Sequence, residues 1–386
     1  MAPLPPLDSP PDGGIFHVRP QIRPGLLVLA DGTEFEGELI GAEGVANGEV
    51  VFNTVMTGYQ EVISDPSYAG QIITFTTAHL GNYGVTAIDD ESRRPFCEGV
   101  VIREPARRRS SWRSDGDLDA YLRAAGVPGI AGIDTRRLTR HIRDAGAMPG
   151  AFGADEATVR AAAATAVGTD GRDMVAVVTA DSPYVHASAA ANPRRIVAID
   201  CGIKTTILRH LAHVGEIHVV PAATTAAEIL DLGPDGLFIS NGPGDPAAVP
   251  HVVDTVGELL GGVPIFGICM GHQMLGQALG ARTFKLPFGH HGGNHPVRDL
   301  DTGKVEITSQ NHNYCVDVNG VAGVEVTHVN LNDGTLEGFR CTEIPAFAVQ
   351  YHPEAGPGPH DSRYLFDRFA ALIDAHSARA TTAAAS

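Results

Sequence analysis

The sequence predicts an α/β protein, with a doubly wound, mostly parallel sheet in its C-terminal half and a mixed β/α domain before it. Three observations lead there. From Arg195 onward, short apolar runs (RRIVAID, EIHVVP, GLFIS, PIFGI) alternate with amphipathic stretches, the rhythm of parallel strands joined by crossover helices. The first half lacks that rhythm and shows short strands with turn signals instead. Between the halves, residues 154–194 become Ala-rich and pass into SPYVHASAAANPRR, which has no apolar periodicity and ends near Asn192-Pro193, so the domain boundary is expected there. At 386 residues the chain is too long for one ordinary core and suits two.

Taken in order, residues 1–24 are rich in Pro and Gly and are expected to form a flexible tail. LLVLADGTEFEG (Leu26–Gly37) reads as a hairpin turning at Asp31-Gly32. Strands are expected over Glu49–Asn53 and Gln71–Thr76, and helices around Asp117–Ala125 and Asp134–Asp144, within a first domain at 25–190. The second domain is placed at 195–376, and the small polar residues 377–386 are read as another flexible tail.

Bulk properties exclude several functions. A net charge of -17 argues against nucleic acid or an anionic membrane as partner, since phosphate binding needs Lys and Arg. The run Arg107-Arg108-Arg109 is read as a solvated loop. Five scattered cysteines with no CxxC pair fit neither a disulfide scaffold nor a zinc site. MAPLPPLDSPPDGG lacks the basic start and apolar run of a signal peptide, and no window reaches transmembrane length, so a cytoplasmic location is expected.

In open α/β sheets the chemistry lies beyond the C-terminal ends of the strands. There PIFGI runs into Gly267-Ile268-Cys269-Met270-Gly271-His272-Gln273, a nucleophile elbow with Cys in place of Ser. Glycines two before and two after Cys269 allow the sharp turn that exposes the sulfur, the helix start favours thiolate, and the Met270 N–H is placed to stabilise an oxyanion. Such a nucleophile needs a base and the base an orienting group. The strand AFAVQ leads into Tyr351-His352-Pro353-Glu354, where Pro353 favours an extended chain, so His352 and Glu354 share a face and supply one group each.

The elbow, the His-Pro-Glu ending and the loop Ser240-Asn241-Gly242-Pro243-Gly244-Asp245-Pro246 resemble the class I glutamine amidotransferases, whose Cys, His and Glu form a catalytic triad and whose glycine loop holds the oxyanion. The stretch GEVVFNTVMTGYQEVISDPSYAGQIITFT (Gly48–Thr76) and GHHGGNHPV (Gly289–Val297) resemble one branch of that class, the small subunits of carbamoyl-phosphate synthetases. The resemblance covers roughly residues 25–376 and implies Cys269, His352 and Glu354 as triad. It implies Ser67, Gly242, Gly244, Met270, Gln273, Asn311, Asn313 and Tyr314 as contacts to L-glutamine. The family often has Leu at the place of Met270 and Gly-Phe at those of Asn313 and Tyr314; were φ positive at Asn313, Asn would be the least costly replacement for Gly.

The resemblance further implies glutamine hydrolysis feeding ammonia to a large subunit in a heterodimer or a higher assembly, for arginine or pyrimidine synthesis. No GxxxxGK[ST] loop occurs, so no cofactor is expected in this chain, and ATP and magnesium are expected on the partner. No metal is expected at His290, His291 and His295, and Cys97, Cys201, Cys315 and Cys341 are read as packing residues, with Cys201 the one exception to watch because it too follows a strand. Two alternatives stay open: the glutaminase subunit of another amidotransferase, such as anthranilate synthase, and a non-catalytic regulatory homologue.

Overall fold

A computed structural model describes residues 23–188 and 193–384. In chain order the first half holds β1 (Pro24–Leu29), β2 (Glu34–Gly41), β3 (Ala46–Asn53), α1 (Tyr59–Ser64), β4 (Gln71–Phe75), β5 (His79–Leu80), β6 (Gly99–Val101), β7 (Glu104–Pro105), α2 (Leu118–Ala124), β8 (Pro128–Ala131), α3 (Thr135–Ala145) and β9 (Met148–Gly153). Seven of these strands close a barrel in the order β1-β2-β8-β6-β4-β3-β9. The β1–β2 hairpin turns at Gly32, whose φ of 84 suits glycine. Alternate residues of the strands, among them Leu27, Val50, Ile72, Val101, Ile130 and Phe152, fill one core. Their neighbours Val51, Ile73 and Val100 face a second core under α1 and α2.

The chain continues through α4 (Glu156–Thr165), α5 (Val175–Val178), β10 (Tyr184–His186), β11 (Arg194–Asp200), α6 (Thr205–Val214), β12 (Gly215–Pro221), α7 (Ala226–Asp231), β13 (Gly236–Ile239), α8 (Pro250–Leu259), β14 (Ile265–Ile268) and α9 (Met270–Ala278). It ends with β15 (Arg282–Asp299), β16 (Val305–Asp317), β17 (Val324–Asn330), β18 (Leu336–Cys341), β19 (Ala346–Val349) and α10 (Tyr364–Ala384). A ten-stranded sheet runs β10-β12-β11-β13-β14-β19-β18-β17-β15-β16. Its five consecutive strands β12, β11, β13, β14 and β19 are parallel. Helices cover both faces, which is why Ile196–Ile199 and Ile265–Ile268 are apolar at successive positions and fully buried. Antiparallel strands β18, β17, β15 and β16 extend one edge, and β10 the other.

One expectation needs correction, and the stretch at the domain boundary holds more regular structure than periodicity shows. Within residues 154–188, Asp155 caps α4 by accepting from the Thr158 N–H, Val159 and Ala163 pack that helix on β1 and β9, and β10 pairs with β12. The Ala-rich composition gives α4 so weak an apolar stripe that periodicity could not reveal it. At the C-terminus, residues 377–384 of the expected tail instead continue α10, because no Gly or Pro interrupts an Ala-rich run of good helix formers. The expected tail at 1–22, the boundary residues 189–192 and residues 385–386 lie outside the described residues.

Phe266 on β14 is fully buried, stacked on Phe347 at 4.5 Å and edge-on to Phe238 at 5.5 Å, at the base of the strand that ends in Cys269. Phe266→Ala should cost about 3–5 kcal/mol in chemical denaturation. A loss below about 1 kcal/mol would show that the core collapses around the site instead of being held open by the ring.

Candidate active site

Cys269 joins β14 to α9 with φ 56 and ψ -104, one of two non-glycine residues with positive φ among those described. The flanking glycines make that turn possible. A Cβ on Gly271 would lie 2.1 Å from the Ile239 carbonyl oxygen, and one on Gly267 would lie 2.6 Å from that of Gly271. The Cys269 N–H is bonded to the Val349 carbonyl of the adjacent strand at 2.9 Å, and its sulfur stands 3.5 Å from the Asn311 carbonyl oxygen.

His352 follows β19, the neighbour of β14, and its N–H donates to the Ser309 carbonyl at 2.9 Å. Its Nδ1 bonds Glu354 Oε1 at 2.7 Å, so the pair shares a face as the extended chain requires. Nδ1 therefore carries the proton and Nε2 is left for chemistry; Nε2 has no hydrogen-bond partner within normal limits, and the neighbouring Cys269 sulfur acts on the ring electrostatically. Lys204, which sequence reasoning missed, is buried behind this pair. Its ammonium bonds Glu354 Oε1 at 2.8 Å and the Gly356 carbonyl at 2.7 Å, and it lies 4.0 Å from Asp65 Oδ2. The only signal it gave was its place just after β11, at the C-terminal end of a parallel strand.

Burial alone would lower the His352 pKa, but the Glu354 carboxylate overrides it and holds the imidazole up at about 10, with Cys269 adding in the same direction. Glu354 is moved the other way. Burial would raise its pKa, and Lys204 and His352 hold it well below the usual carboxylate range. Lys204 is held protonated by Glu354, Asp65 and Glu91 against the burial that would strip its charge. A protonated imidazole beside a cysteine sulfur is the arrangement that supports a thiolate and then delivers a proton to a leaving group.

In front of Cys269 lies a cavity of about 20 Å³ bounded by Ser67, Gly242, Gly244, Gln273, Asn311, Asn313 and Tyr314, together with Gln71, His291 and His312. All but one of the sequence-predicted glutamine contacts come together there. Met270 does not; its side chain turns into the apolar core with Val197 and Ile239, which leaves only its backbone to face the site. Gly242 is required because a Cβ would lie 2.3 Å from the Cys201 carbonyl oxygen, and Gly244 because φ is 87. Ser67 comes from the first domain and accepts from Asn241 Nδ2 at 2.9 Å. Gln273 donates to the Tyr314 carbonyl at 2.9 Å, and Tyr314 reaches Asp170 through its hydroxyl. Asn313 lacks positive φ and uses its amide instead, donating to Glu49 of β3 at 3.0 Å.

His290, His312 and Glu337 offer donor atoms within 4.8 Å of one another. Each is engaged in hydrogen bonding: His290 Nε2 with Asp333 at 2.8 Å, His312 with the Tyr314 carbonyl and Gln310, and Glu337 with Asn330 Nδ2 at 2.7 Å. His290 is ion-paired with Asp333 and lies 3.7 Å from Glu337, while His312 borders the cavity and is held by burial toward its neutral form. Burial raises the pKa of Cys97, Cys201, Cys315 and Cys341; Cys315 lies 4.0 Å from His312 Nδ1, but that nitrogen is also 2.8 Å from the Tyr314 carbonyl, and among the described residues no carboxylate orients the ring as Glu354 orients His352.

A family model described as "Glutamine amidotransferase class-I" matches residues 197–372, and one described as "Carbamoyl-phosphate synthase small chain, CPSase domain" matches residues 27–152. A carbamoyl phosphate synthase small chain of Solidesulfovibrio magneticus is 49% identical over 366 residues, covering 90% of this chain and 98% of its own. That of Polynucleobacter asymbioticus is 50% identical over 380 residues, with 91% and 96% covered. That of Thermus thermophilus is 48% identical over 365 residues, with 91% and 93% covered.

The two shifts fix how the triad contributes to stability. His352, raised from 6.5 to about 10, stabilises the fold fully below pH 6.5, and that contribution is lost as pH rises through 10. Glu354, lowered from 4.5, stabilises above pH 4.5 and loses that as pH falls. The stability gap between wild type and Glu354→Gln should therefore be widest from about pH 4.5 to 6.5 and shrink toward pH 10. A gap independent of pH in thermal unfolding would mean that the pair is not ionised.

Proposed function

Since the chain belongs to the carbamoyl-phosphate synthase small-chain family, we propose that it serves as that synthase's glutaminase through Cys269, His352 and Glu354. The protein is a glutamine amidotransferase whose hydrolysis of glutamine supports carbamoyl phosphate synthesis. The observation that carries the assignment of roles is the buried relay from Lys204 through Glu354 and His352 toward a cysteine held at φ 56 at the end of a parallel strand.

The Cys269 thiolate attacks the side-chain amide carbon of glutamine, forming a C–S bond. Oxygen charge that develops is met by backbone N–H groups of the Gly242–Gly244 loop and of Met270. The His352 imidazolium gives its Nε2 proton to the amide nitrogen, the C–N bond breaks, and ammonia leaves a glutamyl thioester on Cys269. His352, now neutral at Nε2, takes a proton from water, whose hydroxide displaces the sulfur and releases glutamate. Glu354, fixed by Lys204, keeps Nδ1 protonated throughout. Ser67, Gln273, Asn311, Asn313 and Tyr314 orient the substrate's amino-acid end.

A large subunit supplies the rest of the synthesis, binding ATP and magnesium and consuming the ammonia in a heterodimer or an assembly of heterodimers. The first domain is its contact surface. The complex works in the cytoplasm for arginine or pyrimidine formation, consistent with the absence, among the described residues, of any helix long and apolar enough to cross a membrane.

In that complex Cys269→Ser should abolish carbamoyl phosphate formation from glutamine while leaving formation from added ammonium intact. Glutamine-dependent synthesis retained in the variant would remove Cys269 from the mechanism.

A further inference from the structure

We propose that His291 is a positioning residue of the glutamine pocket and acts as an imidazolium, donating one hydrogen bond from each ring nitrogen to Asn311 and Asn313. The inference rests on reading the cavity as the glutamine site. His291 sits on β15, is 2% exposed and borders the cavity. Its Nδ1 lies 3.0 Å from Asn311 Oδ1 and its Nε2 lies 2.9 Å from Asn313 Oδ1.

The two ends of an amide exchange by a half-turn, so its orientation is set by its other partner. For Asn313 that partner is Glu49 Oε2, which receives the Nδ2 donor at 3.0 Å. For Asn311 it is Asp65 Oδ2, again at 3.0 Å. A carboxylate offers only acceptors, so turning either amide would set oxygen against oxygen. Both carboxylates are themselves pinned. Glu49 accepts from Gln71, Thr169 and Lys285, while Asp65 accepts from the Ser67 N–H and faces Lys204. The imidazole thus meets a carbonyl oxygen at each nitrogen, and a neutral ring has only one N–H to give. Either neutral tautomer would leave a buried lone pair facing an oxygen.

The other groups around the ring divide. Burial holds the His291 pKa below its ordinary value and His290 pushes the same way, while the Asn313 and Asn311 carbonyls and Glu49 push it up. His295 on β15 and His312 on β16 are held below the ordinary histidine range, first by burial and then by the neighbouring histidines, and the Tyr68 ring stands 6.1 Å away. Burial pulls the ring toward the neutral form, but two amides locked by carboxylates leave a neutral ring no arrangement that satisfies both nitrogens, and this favours the imidazolium. The functional consequence runs through Asn311, whose backbone oxygen faces the Cys269 sulfur and whose side chain the ring holds.

The test uses the full chain carrying labelled histidine, with the His291 resonances assigned by difference from His291→Gln, compared with Asn313→Ala. In the wild type the ring should show imidazolium nitrogen shifts at about pH 7. In Asn313→Ala, where one N–H suffices, it should be neutral at the same pH. In complex with the large subunit, His291→Gln should raise KM for glutamine about tenfold with kcat changed by less than about twofold, the mark of lost substrate positioning. A neutral His291 in the wild type, or a charge state that Asn313→Ala does not alter, overturns the proposal. The nuclear resonance readout is independent of the nucleophile, so failure of the Cys269 assignment would appear separately, as retained activity in Cys269→Ser.

Discussion

The Cys269 backbone, at φ 56 and ψ -104, occupies a region that costs a residue bearing a Cβ roughly 1–3 kcal/mol, and the surrounding structure has to over-determine it to keep it. It does so from three sides. Strand β14 is clamped between β13 and β19, α9 leaves immediately from Met270, and Gly267 and Gly271 remove the side chains that would collide with backbone oxygens. The strained turn puts the sulfur at the end of a parallel strand, and the next strand in the sheet delivers His352 and Glu354 to the same level. The position of the chemistry is thus a consequence of sheet order.

The two domains meet in that chemistry. Glu354 is buried without solvent and would be costly as an isolated charge, yet Lys204 from the turn after β11 neutralises it, and Asp65 and Glu91 from the first domain face that lysine in turn. Glu91 also binds Thr206 at the start of α6, through both the hydroxyl and the backbone N–H. Glu49 of the barrel reaches Asn313, Lys285 and Thr169 across the cavity's other side. Removing the first domain would take Asp65 and Glu91 from the buried Lys204 and Glu49 from Lys285, so its role extends beyond offering a surface to another subunit.

What the sequence made legible was local. The elbow needs glycines at fixed offsets from Cys269, and His352 and Glu354 are two residues apart in an extended segment, so spacing alone carries the geometry. The parallel strands were legible because burial on both faces writes them as unbroken apolar runs. The antiparallel strands β15–β18 were not, because β15 carries polar and glycine residues across most of its 18 positions. The barrel closure was hidden for another reason: it depends on β9 returning to β1, a pairing between residues more than a hundred positions apart. Lys204, Asp65, Glu49 and His291 were missed on the same ground, since each gains its role only from a partner distant in the chain.

The central claim is that Cys269 forms the covalent link to substrate. The most direct measurement is acid quenching of the complex during turnover with isotopically labelled glutamine, followed by proteolysis and mass spectrometry. The account predicts a labile glutamyl thioester on the peptide containing Cys269, enriched when deacylation is slowed in His352→Asn. Label on the peptide of Cys201 or Cys315, or turnover at wild-type rate with no covalent label on any peptide, would contradict it.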